Sequence, residues 1–184
     1  MEQPSSSINP HNILANACLI HDADSVCTAI DRLANELTES LQDTKPLVIS
    51  VMGGAVVFSG QLLPKLRFPL EFNYVQASRY QNQTIGQGVV WKVLPGEEVV
   101  GRTVLLLDDI LDEGHTLAEI KTKCLQLGAK QVLIAVLVEK DLGHVKPIKA
   151  DFIGLTVPNR YVFGCGMDVY GWWRNLPEIY ALNL

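Results

Sequence analysis

The chain has 184 residues, 48% of them hydrophobic, which is enough for one sizeable core and one domain. A formal net charge of -5 and a pI near 5.3 argue against general nucleic-acid affinity, which calls for basic surface. No stretch reads as a signal peptide or membrane span, and Cys18, Cys27, Cys124 and Cys165 show no C-x-x-C pairing. Reduced thiols in a cytoplasmic protein are therefore expected, rather than disulfides or zinc.

In chain order, the polar residues up to about Asn9 are expected to be mobile. Val26, Ile30, Leu33, Leu37 and Leu41 recur at helical spacing, with Asp22 and Asp24 as candidate caps. The apolar strand Leu47-Val48-Ile49-Ser50 leads into Val51-Met52-Gly53-Gly54, whose two glycines allow a tight strand-to-helix turn or a close backbone approach to an anion. Residues 70–77 and 89–94 read as strands. The polar stretch between them, opened by Ser78-Arg79-Tyr80 and running to Gly88, reads as a long mobile loop of the kind that forms lids.

The most informative stretch is residues 103–117. A continuous apolar run, residues 103–107, is the mark of a central parallel strand covered on both faces, and three carboxylates, Asp108, Asp109 and Asp112, follow it. Ionised carboxylates do not stabilise a core, and the carboxyl edge of an open α/β sheet is where ligands bind. The turn Glu113-Gly114-His115-Thr116 then opens a helix. Gly114 permits an unusual backbone conformation, and successive N–H groups at a helix start can wrap a phosphate. Acids for ribose hydroxyls and metal beside a turn for phosphate suggest a phosphorylated-sugar site. An Asp-Asp strand also serves P-loop nucleotidases, but the Gly-x-x-x-x-Gly-Lys-Ser/Thr loop they need is absent from this sequence.

Downstream, Leu117, Ile120, Cys124 and Leu127 repeat the helical pattern, and Gly128 can end that helix. The strand over 131–136 closes on Leu137-Val138-Glu139-Lys140; a lysine there is ordinarily solvated. Tyr161 reads as a strand aromatic, Asp168 as a turn residue, and Cys165 as part of a strand-like run. His11, His21 and His144 have no ligand spacing, whereas His115 falls inside the phosphate turn. Trp172-Trp173 are read as packing or oligomer contacts. Helices alternating with apolar strands, without repeats or linkers, give an α/β class with a parallel sheet.

The string Leu107-Asp108-Asp109-Ile110-Leu111-Asp112-Glu113-Gly114-His115-Thr116 resembles the phosphoribosyl-pyrophosphate motif of type I phosphoribosyltransferases. With Val51-Met52-Gly53-Gly54, Leu137-Val138-Glu139-Lys140 and the segment from Asp151 to Leu176, the chain is similar to the hypoxanthine-guanine phosphoribosyltransferases over residues 46–176. That resemblance implies a central, mostly parallel twisted sheet flanked by helices, with a small hood from the N-terminal helix and C-terminal strands. It divides one domain, residues 1–184, into a core over about 46–150, a hood over about 10–45 and 151–184, and an active-site loop over about 78–88.

The resemblance further implies a magnesium-dependent transfer of hypoxanthine or guanine onto phosphoribosyl pyrophosphate, in purine salvage. Asp112 would be the general base, Asp108 and Asp109 would hold ribose and magnesium, and Glu113, Gly114, His115 and Thr116 the 5'-phosphate. Met52, Gly53 and Gly54, with a non-proline cis peptide, would meet pyrophosphate, as would Ser78, Arg79, Tyr80 and Arg174. Lys140 would read the 6-oxo group, Tyr161 would stack on the purine, Val162 would read its edge, and Asp168 would coordinate magnesium beside the base. Met52 and His115 stand where relatives often carry lysine, and Glu113 where threonine is commoner. A homodimer or homotetramer is implied, and neither nucleic acid nor membrane as a partner. A xanthine-accepting enzyme and a regulatory nucleotide- or RNA-binding relative are the alternatives.

Overall fold

A computed structural model describes residues 9–79 and 89–183, and of Ser78 and Arg79 the backbone alone. The expected mobile stretches, up to residue 8 and over the loop that contains Tyr80, lie outside the described residues. The elements in chain order are α1 (Pro10–Ala15), β1 (Cys18–His21), α2 (Ala23–Leu41), β2 (Leu47–Met52), α3 (Val56–Leu62), β3 (Glu71–Arg79), β4 (Val89–Val93), β5 (Thr103–Leu111), α4 (His115–Gln126), β6 (Gln131–Asp141), β7 (Phe152–Pro158), β8 (Val162–Phe163) and β9 (Ile179–Ala181).

Six strands form the main sheet in the order β4-β3-β2-β5-β6-β7, parallel throughout except for β4. β2 and the first half of β5 are buried along almost every residue, as strands covered on both faces must be. On one face α2 and α3 pack Val26, Ile30, Leu33, Leu37, Phe58 and Leu62 against Val48, Leu105, Leu107 and Leu137. On the other, Leu117, Ile120 and Cys124 of α4 meet Leu47, Ile49, Val104, Leu106 and Ile134. Asp22 caps α2 by accepting from the Ser25 N–H at 2.8 Å, so one of the two candidate caps takes that place and Asp24 lies in the first turn.

A second, antiparallel sheet of order β1-β9-β8 forms a hood. This hood is smaller than residues 10–45 and 151–184. The apolar face of α2 is buried on the main sheet, and β7 is that sheet's last strand, with Ala135 in register with Phe152. Arg32 of α2 donates to the carbonyls of Ile153 and Gly154 along the outer edge of β7, and a His21 ring nitrogen lies 2.9 Å from the Thr156 carbonyl oxygen. Cys165 lies in a turn with φ of 49°, not in a strand, although it is buried as the sequence suggests. Burial pushes its thiol up to about 12 and that of Cys124 up to about 11, which leaves both as unreactive core groups.

Candidate active site

β5 runs four residues further than its apolar start suggests, so Asp108 and Asp109 stand on the strand rather than beyond it. Their side chains serve the backbone there: Asp108 accepts from the Asp109 N–H at 3.0 Å, and Asp109 from the Ile110 N–H at 2.8 Å. Alternation also slips by one residue at this point. Leu105 and Leu107 face the α2 side and Leu106 the α4 side, whereas after the two aspartates Ile110 faces α2 and Leu111 faces α4. The pair of carboxylates sits where the strand changes faces.

Burial is the main influence on both acids. It raises the Asp108 carboxyl well above the usual range, and the neighbouring Asp109 charge adds to the effect. Asp109 is also raised by burial, against the opposing influence of its bond with Asp108 and the charge of Arg174. Two neighbouring glycines make room for it. A Cβ at Gly54 would collide with the Asp109 carboxylate, and one at Gly166, where φ is 104°, would collide with the Gly54 carbonyl. Gly54 follows a cis Met52–Gly53 peptide at the end of β2.

After Leu111 the chain turns through Asp112, Glu113 and Gly114, the last with φ of 81° at the start of α4. His115, Thr116 and Leu117 are the first residues of that helix, so their N–H groups have no acceptor within it and point out of its N-terminus. Glu113 is exposed and lies 3.7 Å from His144. Lys140, near the end of β6, is buried rather than solvated, and its Nζ donates to Asp112 Oδ2 at 2.7 Å.

The hood supplies the opposite wall. Asp168 accepts from the Gly171 N–H at 2.7 Å and from Arg174, whose other nitrogen donates to the Gly166 carbonyl. Tyr161 is about half exposed at 46%, and burial of the rest, with the nearby Asp168 charge, raises its hydroxyl. A cleft of about 220 Å³ between sheet edge and hood is lined by Asp109, Ile110, Asp112, Lys140, Tyr161, Val162, Met167, Asp168 and Arg174.

Seven of these nine residues are candidates read from the sequence. Asp108, the Glu113–Thr116 turn and the Met52-Gly53-Gly54 turn are not among the residues that line the cleft, and the side chains of Ser78, Arg79 and Tyr80 lie outside the described residues. Ile110 and Met167 were missed, because an apolar side chain near a strand or turn carries no signal that separates a cleft wall from core. No helix among the described residues is long and apolar enough to cross a membrane.

A mostly parallel sheet with acids and a helix start at its carboxyl edge, faced by a hood across a cleft, has the architecture of an α/β enzyme that binds its ligand at that edge. The family model for the phosphoribosyl transferase domain matches residues 19–170. Among curated relatives, the chain is 37% identical to the hypoxanthine-guanine phosphoribosyltransferase of Bacillus subtilis, over 84% of this chain and 86% of that one. It is 34% identical to the hypoxanthine-guanine-xanthine phosphoribosyltransferase of Tritrichomonas foetus, over 90% and 91%. A solved hypoxanthine-guanine-xanthine phosphoribosyltransferase superposes with a TM-score of 0.75 at 31% identity, covering 90% of this chain and 93% of that one. The chain belongs to the phosphoribosyltransferase family.

Proposed function

We propose that this phosphoribosyltransferase joins hypoxanthine or guanine to phosphoribosyl pyrophosphate, giving the nucleoside monophosphate and pyrophosphate, as a cytoplasmic enzyme of purine salvage. The observation that carries the reading is the Asp112–Lys140 pair at the cleft, with Tyr161 in the facing wall. A 6-oxopurine presents a carbonyl and the N7 position side by side on one edge, and an ammonium beside a carboxylate complements that edge. Lys140 has three protons and gives one to Asp112, which leaves others for the 6-oxo group; Asp112 keeps Oδ1 for the N7 proton. An ammonium accepts no hydrogen bond, so the 6-amino group of adenine is disfavoured.

In this mechanism Asp112 is the general base, taking the N7 proton as the base attacks the anomeric carbon and returning it in the reverse direction. Its charge also favours the cationic character that develops on the ribose. Tyr161 stacks on the base, and the Val162 backbone reads its edge. Asp108 and Asp109 hold the ribose diol, the N–H groups from Glu113 to Thr116 hold the 5'-phosphate, and the Gly53-Gly54 backbone and Arg174 meet pyrophosphate.

Magnesium fits the donor set. Buried adjacent carboxyls pushed toward protonation are stabilised by a divalent cation. Magnesium takes one or two carboxylates and completes its shell with phosphate and water. Asp168, in the cleft lining, would hold one ion, and the adjacent pair Asp108 and Asp109 would hold the ribose directly or through a hydrated ion; magnesium would neutralise the departing pyrophosphate. Xanthine is a second base to consider, on the strength of the relative from Tritrichomonas foetus. A homodimer or homotetramer is part of the proposal, supported by the exposed apolar side chains of Val56, Phe72, Tyr74 and Val90.

Pyrophosphate release tests the reading. Hypoxanthine with phosphoribosyl pyrophosphate and magnesium is expected to release pyrophosphate in step with inosine monophosphate, and a chelator to stop both. Release without nucleotide, or no release, would overturn it.

A further inference from the structure

The connection from β6 to β7 is pressed against the back of the site. Ile148 and Pro147 occupy the space into which a side chain at Gly114 would project, and His144 faces Glu113. Between them Lys146 turns inward, its side chain only 8% exposed. Its Nζ donates to the Leu111 carbonyl at 2.9 Å and to the Lys140 carbonyl at 2.6 Å, and it lies 3.6 Å from the Glu139 carboxylate.

Those two carbonyls belong to residues that matter. Leu111 directly precedes Asp112, and Lys140 is Asp112's partner. The β5–β6 register ends at Leu111 opposite Glu139, so the ladder does not fix Asp112 against Lys140. An ammonium has three donors and no acceptor, and two carbonyls and a carboxylate match it. Buried carbonyls without a donor are costly, so this contact holds the strand ends at a set separation.

Resting on the function proposed above, we propose that Lys146 is a positioning residue: it ties the ends of β5 and β6, and so sets the spacing of Asp112 and Lys140 at the purine edge. The 5'-phosphate turn is seated separately, by Ile148, Pro147 and α4. Loss of the tie therefore acts on the purine more than on the phosphoribosyl substrate. Small misplacements of reacting groups have large kinetic consequences.

The test is steady-state kinetics on Lys146→Met, Lys146→Arg and Glu139→Gln, with amide hydrogen exchange of residues 111–112 and 139–141, the tied strand ends, in wild type and Lys146→Met. The expected result for Lys146→Met is a purine KM raised roughly tenfold or more, a phosphoribosyl pyrophosphate KM within about twofold, and faster exchange at those strand ends. Lys146→Arg, which keeps the charge and can donate to both carbonyls, recovers most of the loss, and Glu139→Gln, which keeps both carbonyl contacts, keeps the wild-type purine KM. An unchanged purine KM in folded Lys146→Met, an equal rise in both KM values, or a raised purine KM in Glu139→Gln would overturn the proposal. If Lys146→Met does not fold, the arginine and glutamine variants decide by the same criteria. Wild type without turnover, but with faster exchange in Lys146→Met, would remove the functional reading and leave the tie standing.

Discussion

In the proposed mechanism Asp112 has the most exacting task of the three aspartates, because there it accepts a proton while paired with Lys140. Replacing it by Asn keeps shape and one acceptor but removes the base. Asp112→Asn is expected to lower kcat by roughly 100-fold or more while nucleotide affinity changes little, as measured by turnover beside equilibrium binding. Near-normal turnover would remove Asp112 from that role. Asp108 and Asp109 bear on stability instead. Burial raises both carboxyls, so in the folded chain they hold protons that the unfolded chain has already lost. The stability they contribute is present below the ordinary aspartate range and is lost as pH rises through the raised folded values. The ligand-free protein should melt at lower temperature as pH rises above the ordinary aspartate range, and Asp108→Asn should flatten that slope. A slope unchanged in Asp108→Asn, followed by thermal melts, would contradict this.

Among the elements, β5 and the turn after it were the most legible in the sequence, since four apolar residues followed by acids and a glycine have few physical readings. Less legible was where the strand ends. Asp108 keeps its ladder partner Val136, while the N–H groups of Asp109 and Ile110 turn to the side chains of the residues before them, a local arrangement that no apolar pattern reports. The periodicity of α2 shows an apolar face but not which sheet covers it; the family resemblance implies the hood, whereas the helix packs on the main sheet. Lys146 gave no signal at all, because its partners are carbonyls, one of them 35 residues away. Close approach between the β2 turn and the hood was equally hidden. Gly166 meets the Gly54 carbonyl with a positive φ, so Gly166→Ala is expected to cost about 2 kcal/mol or more, read from denaturant unfolding. A loss within about 0.5 kcal/mol would show that the hood yields easily there.

For the whole molecule, the division of labour is between a rigid sheet edge and a smaller hood, with the cleft between them. Neither wall alone has a complete set of groups: the sheet supplies Asp109, Asp112 and Lys140, and the hood Tyr161, Asp168 and Arg174. Because the carboxylates at the cleft come from two facing walls, magnesium alone should raise the melting temperature little, and magnesium with phosphoribosyl pyrophosphate much more. A large shift with magnesium alone in a melting scan would point to a protein-built site. The most direct measurement is kcat/KM for hypoxanthine, guanine, xanthine and adenine, each with phosphoribosyl pyrophosphate and magnesium. A preference of roughly 100-fold or more for hypoxanthine and guanine over adenine is expected, because Lys140 meets a carbonyl in one case and an amino group in the other. Comparable values for adenine would contradict the reading of Lys140 and Asp112 as a site for the 6-oxopurine edge.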